Sequence, residues 1–232
     1  MTLFYVPNLV SGNVLPEEES LHAVKVLRLS EGEKIIVVDG KGTYHIAKIT
    51  TPHHKHCGFE IIETRHDYSK RNYKLHIAIA PTKNIERLEW FIEKATEIGI
   101  DEITPIVCRF SERKVVKEER LEKIIISASK QSVKAFFPKL NPACTFDDFL
   151  VKYDASQKFI AHCYNLEKKL LKNLTTKSSD VLILIGPEGD FSPEEVEKAI
   201  SMNFIPVSLG ESRLRTETAG VVACNTVAIV NQ

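Results

Sequence analysis

Leu184-Ile185-Gly186-Pro187-Glu188-Gly189-Asp190-Phe191-Ser192 is the stretch on which the fold turns. The apolar run Val181 to Ile185 leads into it, and Ser192-Pro193-Glu194-Glu195 leads out of it. The latter is a capping box with proline at the first helical position, so a helix starts there. Between strand and helix lie two glycines three residues apart, a spacing that permits a tight turn or close approach of backbone to a ligand. A second loop follows: Leu209-Gly210 leads through Arg213-Leu214-Arg215 into Thr216-Glu217-Thr218-Ala219. Thr216 and Thr218 are candidate caps for a last helix, with Glu217 in its first turn. Neither loop carries GxGxxG or GxxxxGK[ST], and Glu188 argues against a polyphosphate cradle.

Outward from these loops the chain alternates strand and helix. Strands are expected over 75–80, 103–107, 159–161, 181–185 and 205–209. Helices are expected from Asn84 through Ile98, closed by Gly99, and over roughly 117–132. Pro105 hints that 103–107 is an edge strand. This alternation predicts a mostly parallel sheet covered on both faces, with ligands at its carboxyl end. Ala219 to Val230 is apolar on almost every side and should be buried. Residues 1–70 read differently: short strands at 34–38, 44–49 and 59–62, a strong turn at Asp39-Gly40-Lys41-Gly42, and His22 to Leu29 as a short helix or irregular strand. Several short strands in so few residues suggest a small β-barrel. Arg65 to Asn72 reads as the linker, which gives domains at 1–70 and 73–232.

The 31 basic and 31 acidic residues balance, yet charge is unevenly placed. Arg109 to Lys139 carries nine basic residues against four acids, a candidate phosphate-contacting face. Five scattered cysteines without a CxxC pair point to reduced thiols. No secretory leader pattern and no membrane-length apolar run is present, so the expectation is a cytoplasmic protein with no membrane association. His53-His54-Lys55-His56-Cys57 lacks a second half-site at usable spacing, and no metal is expected.

Gly186-Pro187-Glu188-Gly189, and Leu209-Gly210 with Leu214-Arg215-Thr216-Glu217-Thr218-Ala219, resemble the signatures of the ribosomal RNA small subunit methyltransferase E family, a branch of the SPOUT class. Glu93-Lys94-Ala95-Thr96-Glu97-Ile98-Gly99, Ser111-Glu112-Arg113 and His22-Ala23-Val24-Lys25-Val26-Leu27-Arg28 followed by Asp39-Gly40 extend the resemblance over nearly the whole chain. It implies an α/β trefoil-knotted methyltransferase domain preceded by a small PUA-like β-barrel that helps bind RNA, and a homodimer. The chain departs from the family at Lys130, Lys134, Asp190 and His162-Cys163-Tyr164.

The implied reaction moves the methyl of S-adenosylmethionine to N3 of a uridine in 16S ribosomal RNA, on the RNA or the assembled small subunit. Arg215 is the first choice for stabilising charge on the base, with Arg213 or Arg28 as alternates, and Glu217 is the candidate for removing the N3 proton. His162, Gly186, Pro187, Glu188, Gly189, Leu209, Gly210, Leu214, Thr216, Thr218 and Ala219 are the cofactor-binding candidates. Arg28, Arg109, Arg113, Lys130, Lys134 and Arg213 are the candidates for RNA. Another structured RNA such as transfer RNA, and a non-catalytic RNA-binding protein, stand as the competing readings.

Overall fold

The computed structural model describes residues 1–9 and 12–232, and the chain divides into two compact units. The first comprises Met1–Lys70 and Ile126–Phe137. Its sheet runs β1 (Leu3–Tyr5), β2 (Lys34–Val38), β3 (Tyr44–Thr51), β4 (Gly58–Arg65), antiparallel except for the parallel β1–β2 pair. Between β1 and β2 lie α1 (Glu17–Leu21) and a π-helical turn, His22–Val26, after which Arg28 adopts φ 56°. The 22–29 segment is therefore helical first and left-handed at Arg28, neither a plain helix nor a strand.

Alternation along β2 packs both sheet faces. Ile35 and Val37 join Phe4, Leu15, Ala23 and Phe59, while Ile36 and Val38 join Leu3, Tyr44 and Ala135. The segment 126–137, distant in sequence, belongs to this second core: Phe137 N–H donates to Gly40 O, and the Phe137 ring lies 4.7 Å from that of Tyr5. Nothing local in 126–137 announces this, because its partners lie some ninety residues upstream in the Asp39–Gly42 turn.

The second unit, Arg71–Ile125 and Pro138–Gln232, is the expected parallel sheet. In chain order its elements are β5 (Leu75–Ile79), α2 (Ile85–Ile98), β6 (Glu102–Val107), α3 (Glu118–Gln131, whose last residues fall in the first unit), β7 (Lys139–Leu140), β8 (Cys144–Thr145), α4 (Phe146–Lys152), β9 (Gln157–Ala161), β10 (Lys169–Leu170), α5 (Leu171–Leu174), β11 (Val181–Ile185), α6 (Pro193–Ser201), β12 (Ile205–Ser208) and α7 (Thr216–Val230). The strand order is β10-β12-β9-β11-β5-β6-β7, with β8 also beside β6. All five residues of β11 are buried, as a central parallel strand covered on both faces requires.

Local signals act where expected. Asn84 Oδ1 accepts from Glu86 N–H at the start of α2, and Gly99 (φ 120°) ends it. Ser192 and Glu195 form both bonds of the capping box. The edge expectation for 103–107 is corrected: β6 has β5 on one side and β7 and β8 on the other. Pro105 is tolerated because β7 pairs with Glu102 and Ile103 and β8 with Ile106 and Val107, which leaves Pro105 opposite the gap. The helix α7 packs against α2, α5, β5 and β11 and buries Gly220, Ala223, Cys224 and Val227 there, while Asn225 and Ile229 stay exposed. No helix among the described residues is long and apolar enough to cross a membrane.

Candidate functional site

Register places the site. Ile185 lies beside Ile79 on one side and Ala161 on the other, and Val207 lies beside Ala161. The segments that leave these strand ends, 80–84, 162–168, 186–192 and 209–215, therefore emerge together at the carboxyl edge of the sheet.

The first loop is braced from several sides. Asp190, at φ 68°, accepts from Cys163 N–H through Oδ2 at 2.7 Å. Tyr164 Oη donates to Phe191 O at 2.8 Å. These two bonds tie the exit of β9 to this loop, and aspartate is among the residues that tolerate the left-handed region. Glu188 Oε1 accepts from Lys83 N–H at 3.0 Å. Arg113 donates to the carbonyls of Thr82 and Lys83 at 3.0 and 2.8 Å, so its guanidinium holds the 80–84 segment and faces no RNA with these groups.

Two adjoining chambers open between the loops. One, about 290 Å³, is lined by Ala161, Ile185, Gly186, Pro187, Glu188, Arg213, Leu214, Arg215, Thr216 and Ala219. The other, about 360 Å³, adds His162, Lys168, Leu209, Gly210 and Glu211. They share Ala161, Cys163, Arg213, Leu214 and Ala219, and so form one cleft. Of the residues proposed for cofactor binding, Gly189 and Thr218 do not line it. A Cβ at Gly189 would stand 3.0 Å from Cβ of Phe110, so this glycine permits a protein contact. Gly210, at φ 140°, has open space around it and lines the cleft, where its requirement is backbone conformation.

The caps of α7 also differ from expectation. Arg215 is the N-cap and supplies no side-chain bond, while Thr216 Oγ1 donates to Gly186 O at 3.0 Å. Thr216 therefore locks the second loop onto the first. His162 is 7 % exposed, and neither ring nitrogen has a partner among the described residues. Burial, reinforced by nearby Lys168, lowers its pKa, so the ring is neutral at pH 7. Cys163 lines the cleft and is exposed, unlike buried Cys57, Cys108 and Cys224.

A third cavity, about 600 Å³, adjoins the cleft through Arg213, Leu214 and Arg215. Glu217 and Thr218 line it, together with Asn84, Glu86, Arg87 and Trp90 of the α2 side. Sequence reading passed over Arg87 and Trp90. The available signal was their i, i+3 spacing on the polar side of an amphipathic helix, where a large aromatic is out of place.

The RNA candidates separate. Arg213 lines all three cavities, whereas Arg109 lies with Lys114 in a different one. Arg28, Lys130 and Lys134 belong to the first unit. Lys130 is engaged there: its Nζ bonds Glu19 Oε1 and Oε2 at 2.6 and 2.8 Å. Of the basic stretch 109–139, Arg120 is likewise paired with Glu89, and Arg109, Lys114, Lys117, Lys123 and Lys139 are exposed. In the first unit the His53 ring stacks on that of His56 at 5.6 Å and lies tilted to that of His54 at 4.7 Å.

Comparison with known proteins agrees with this geometry. Residues 69–228 match a family described as an RNA methyltransferase domain, and residues 15–62 match an RNA methyltransferase PUA domain. The ribosomal RNA small subunit methyltransferase E of Rickettsia conorii is 30 % identical over 220 residues, covering 93 % of this chain and 89 % of that protein. The crystal structure of a probable rRNA-methyltransferase from Porphyromonas gingivalis superposes with a TM-score of 0.94 at 42 % identity, covering 100 % of this chain and 98 % of that one. That of a ribosomal RNA small subunit methyltransferase E from Neisseria gonorrhoeae bound to S-adenosyl methionine gives 0.89 at 26 % identity, with coverage of 100 % and 98 %. With both glycine loops in place at one sheet edge and relatives matched end to end, the chain belongs to the ribosomal RNA small subunit methyltransferase E family of the SPOUT class.

Proposed function

We propose that the chain is a 16S ribosomal RNA (uracil-N3)-methyltransferase that uses S-adenosylmethionine. The observation that carries this reading is the adjacency of two spaces. A cleft walled by both glycine loops meets, at Leu214 and Arg215, a larger cavity that holds the buried Glu217.

The cleft residues fit the donor. Ala161, Ile185, Leu209, Leu214 and Ala219 provide apolar walls for a nucleoside, and the two loops bring backbone N–H and C=O groups to its edge. The nitrogens of His162 and Oε2 of Glu188, without partners among the described residues, are polar atoms in want of a ligand. His162, Gly186, Pro187, Glu188, Leu209, Gly210, Leu214 and Ala219 would hold it, with Thr216 fixing the two loops together. When bound, S-adenosylmethionine supplies a methyl group already activated by positive sulfur. The protein's task is then to orient the uracil, to accept its N3 proton and to stabilise charge spreading to O2 and O4. Arg215 lines both spaces and suits that charge, and Glu217 is the proton acceptor.

Residues 1–70 act as a PUA-like, barrel-type RNA-binding domain, and Arg28, Lys134, Arg109 and Arg213 are its and its neighbour's candidates for RNA contact. Residues 73–232 form the knotted methyltransferase domain. Its support is that the chain returns from β12, beyond β9, to pack α7 under β5 and β11, with Thr216 bonded beneath the first loop. A homodimer would cover the outer row of α7, where Ile229 is 57 % exposed. Sedimentation at micromolar concentration tests this, a monomer being the contrary result. A ribosomal substrate implies a cytoplasmic location.

The deciding experiment is mass mapping of methylated nucleosides in cells lacking the protein. Loss of one 3-methyluridine from 16S RNA, restored by wild type and not by Arg215→Ala, is expected. An intact 16S pattern with a methyl missing from transfer RNA would overturn the substrate. Purified protein that binds RNA but no S-adenosylmethionine would overturn the catalytic reading.

A further inference from the structure

We propose that Arg87 is the positioning residue for Glu217, a role that rests on the methyl-transfer reading above and deepens it. Glu217 stands in the first turn of α7 with its side chain 9 % exposed. Its Oε2 has no hydrogen-bond partner among the described residues. A carboxylate oxygen shut off from water without a donor is costly, so its persistence points to a donor that arrives with a ligand. The cavity it lines adjoins the donor cleft at Leu214 and Arg215. A base N–H entering that cavity is the donor of matching chemistry.

Arg87 reaches the same carboxylate from α2, across the cavity, with Nε 3.8 Å from Oε1. That distance is an ion pair without a hydrogen bond. The contrast with Lys130 is informative, because there the ammonium occupies both oxygens of Glu19 at 2.6 and 2.8 Å, as a structural bridge does. At Glu217 the cation sits on the Oε1 side at longer range, which constrains the carboxylate by charge while Oε2 has no partner among the described residues. In the proposed role Arg87 holds the carboxylate so that Oε2 is kept for the base. In the step so arranged, the N3 proton passes to Oε2 and gives a carboxylic acid. The N3 electron pair forms the new N–C bond, and the carbon–sulfur pair returns to sulfur, which becomes a neutral thioether.

The test measures kcat and KM for methyl transfer from S-adenosylmethionine to small ribosomal subunits with wild type, Arg87→Met, Arg87→Lys, Glu217→Gln and the Arg87→Met/Glu217→Gln double variant. Calorimetric affinity for S-adenosylmethionine and a thermal melt accompany each. Glu217→Gln should lower kcat by about a hundredfold, in the range of a lost general base. Arg87→Met should lower kcat by about tenfold, as a misplaced group does, with KM and donor affinity unchanged and a melting temperature lowered by a few degrees at most. Arg87→Lys should recover most of the loss, and the double variant should be no slower than Glu217→Gln alone. Losses that multiply in the double variant, or an Arg87→Met effect confined to KM or to melting temperature, would overturn the inference while the function stood. Full activity in Glu217→Gln would overturn it together with the assignment of Glu217. Wild type that binds S-adenosylmethionine yet methylates no RNA would overturn the functional reading, and the inference with it.

Discussion

Replacing Lys130 by glutamate should unfold the first unit at markedly lower temperature. The Lys130 and Glu19 side chains are 23 % and 11 % exposed, and Nζ bonds both carboxylate oxygens while Glu19 Oε1 also accepts from Tyr5 N–H. Removing one partner of a fully buried pair costs about 3–5 kcal/mol, whereas exposed pairs contribute about 1 kcal/mol or less. With this burial, Lys130→Met should cost about 2 kcal/mol. Lys130→Glu should cost about 3 kcal/mol, since two carboxylates would then face one another. For a unit of this size, 3 kcal/mol lowers the melting temperature by about 12–24 °C. The assay is a thermal melt of wild type, both single variants and the Glu19→Lys/Lys130→Glu exchange, which should recover most of the loss. RNA binding offers an independent check. A lost phosphate contact would flatten the slope of log affinity against log salt by about 1, and Lys130→Met should leave that slope unchanged. A melting temperature within about 1 °C of wild type for Lys130→Glu, or a flattened salt slope for Lys130→Met, would refute the reasoning.

The two loop glycines should respond differently. Gly186→Ala places a Cβ 3.0 Å from the Phe191 ring and 3.2 Å from its backbone nitrogen, so the loop must shift and donor affinity should fall about tenfold by calorimetry. Gly210→Ala meets nothing within 4 Å but must hold φ 140°, and a denaturant titration should show a loss of about 1–3 kcal/mol. Replacing His162 by leucine removes two orphaned nitrogens, so the melting temperature should hold or rise while the dissociation constant for S-adenosylmethionine increases; unchanged affinity would remove His162 from the site. His76, half-buried beside Phe149 and hydrogen-bonded to Thr104, has its pKa pushed down to about 4 from the ordinary 6.5, mainly by desolvation. A base whose folded pKa is depressed leaves the unfolded chain holding more protons between those values. Its stability contribution is present above about pH 6.5 and lost as pH falls toward 4, so urea midpoints should drop across that window, and less steeply in His76→Gln.

Much of the architecture was legible in local pattern. Apolar runs bounded by turns located β5, β6, β9, β11 and β12. Asn84, Gly99 and the Ser192–Glu195 box marked helix ends, because each acts on backbone groups within a few residues of itself. Both glycine loops were visible for the same reason. What each polar side chain touches was not legible. Arg113 read as an RNA contact and holds Thr82 and Lys83, and Lys130 read likewise and pairs with Glu19, more than a hundred residues away. Gly189 read as an approach to ligand and meets Phe110.

The sequence by itself determined the parallel α/β class and the strand-to-helix loops, since periodicity, capping and turn residues are short-range properties of the chain. Only the tertiary structure decided that β11 lies between β9 and β5, that four segments therefore meet at one sheet edge, and that Arg87 of α2 faces Glu217 of α7. Strand order and cross-chain ion pairs are chosen by which burial of the whole set of apolar faces is lowest in free energy. That choice depends on pairings between residues far apart in sequence, which no local pattern encodes.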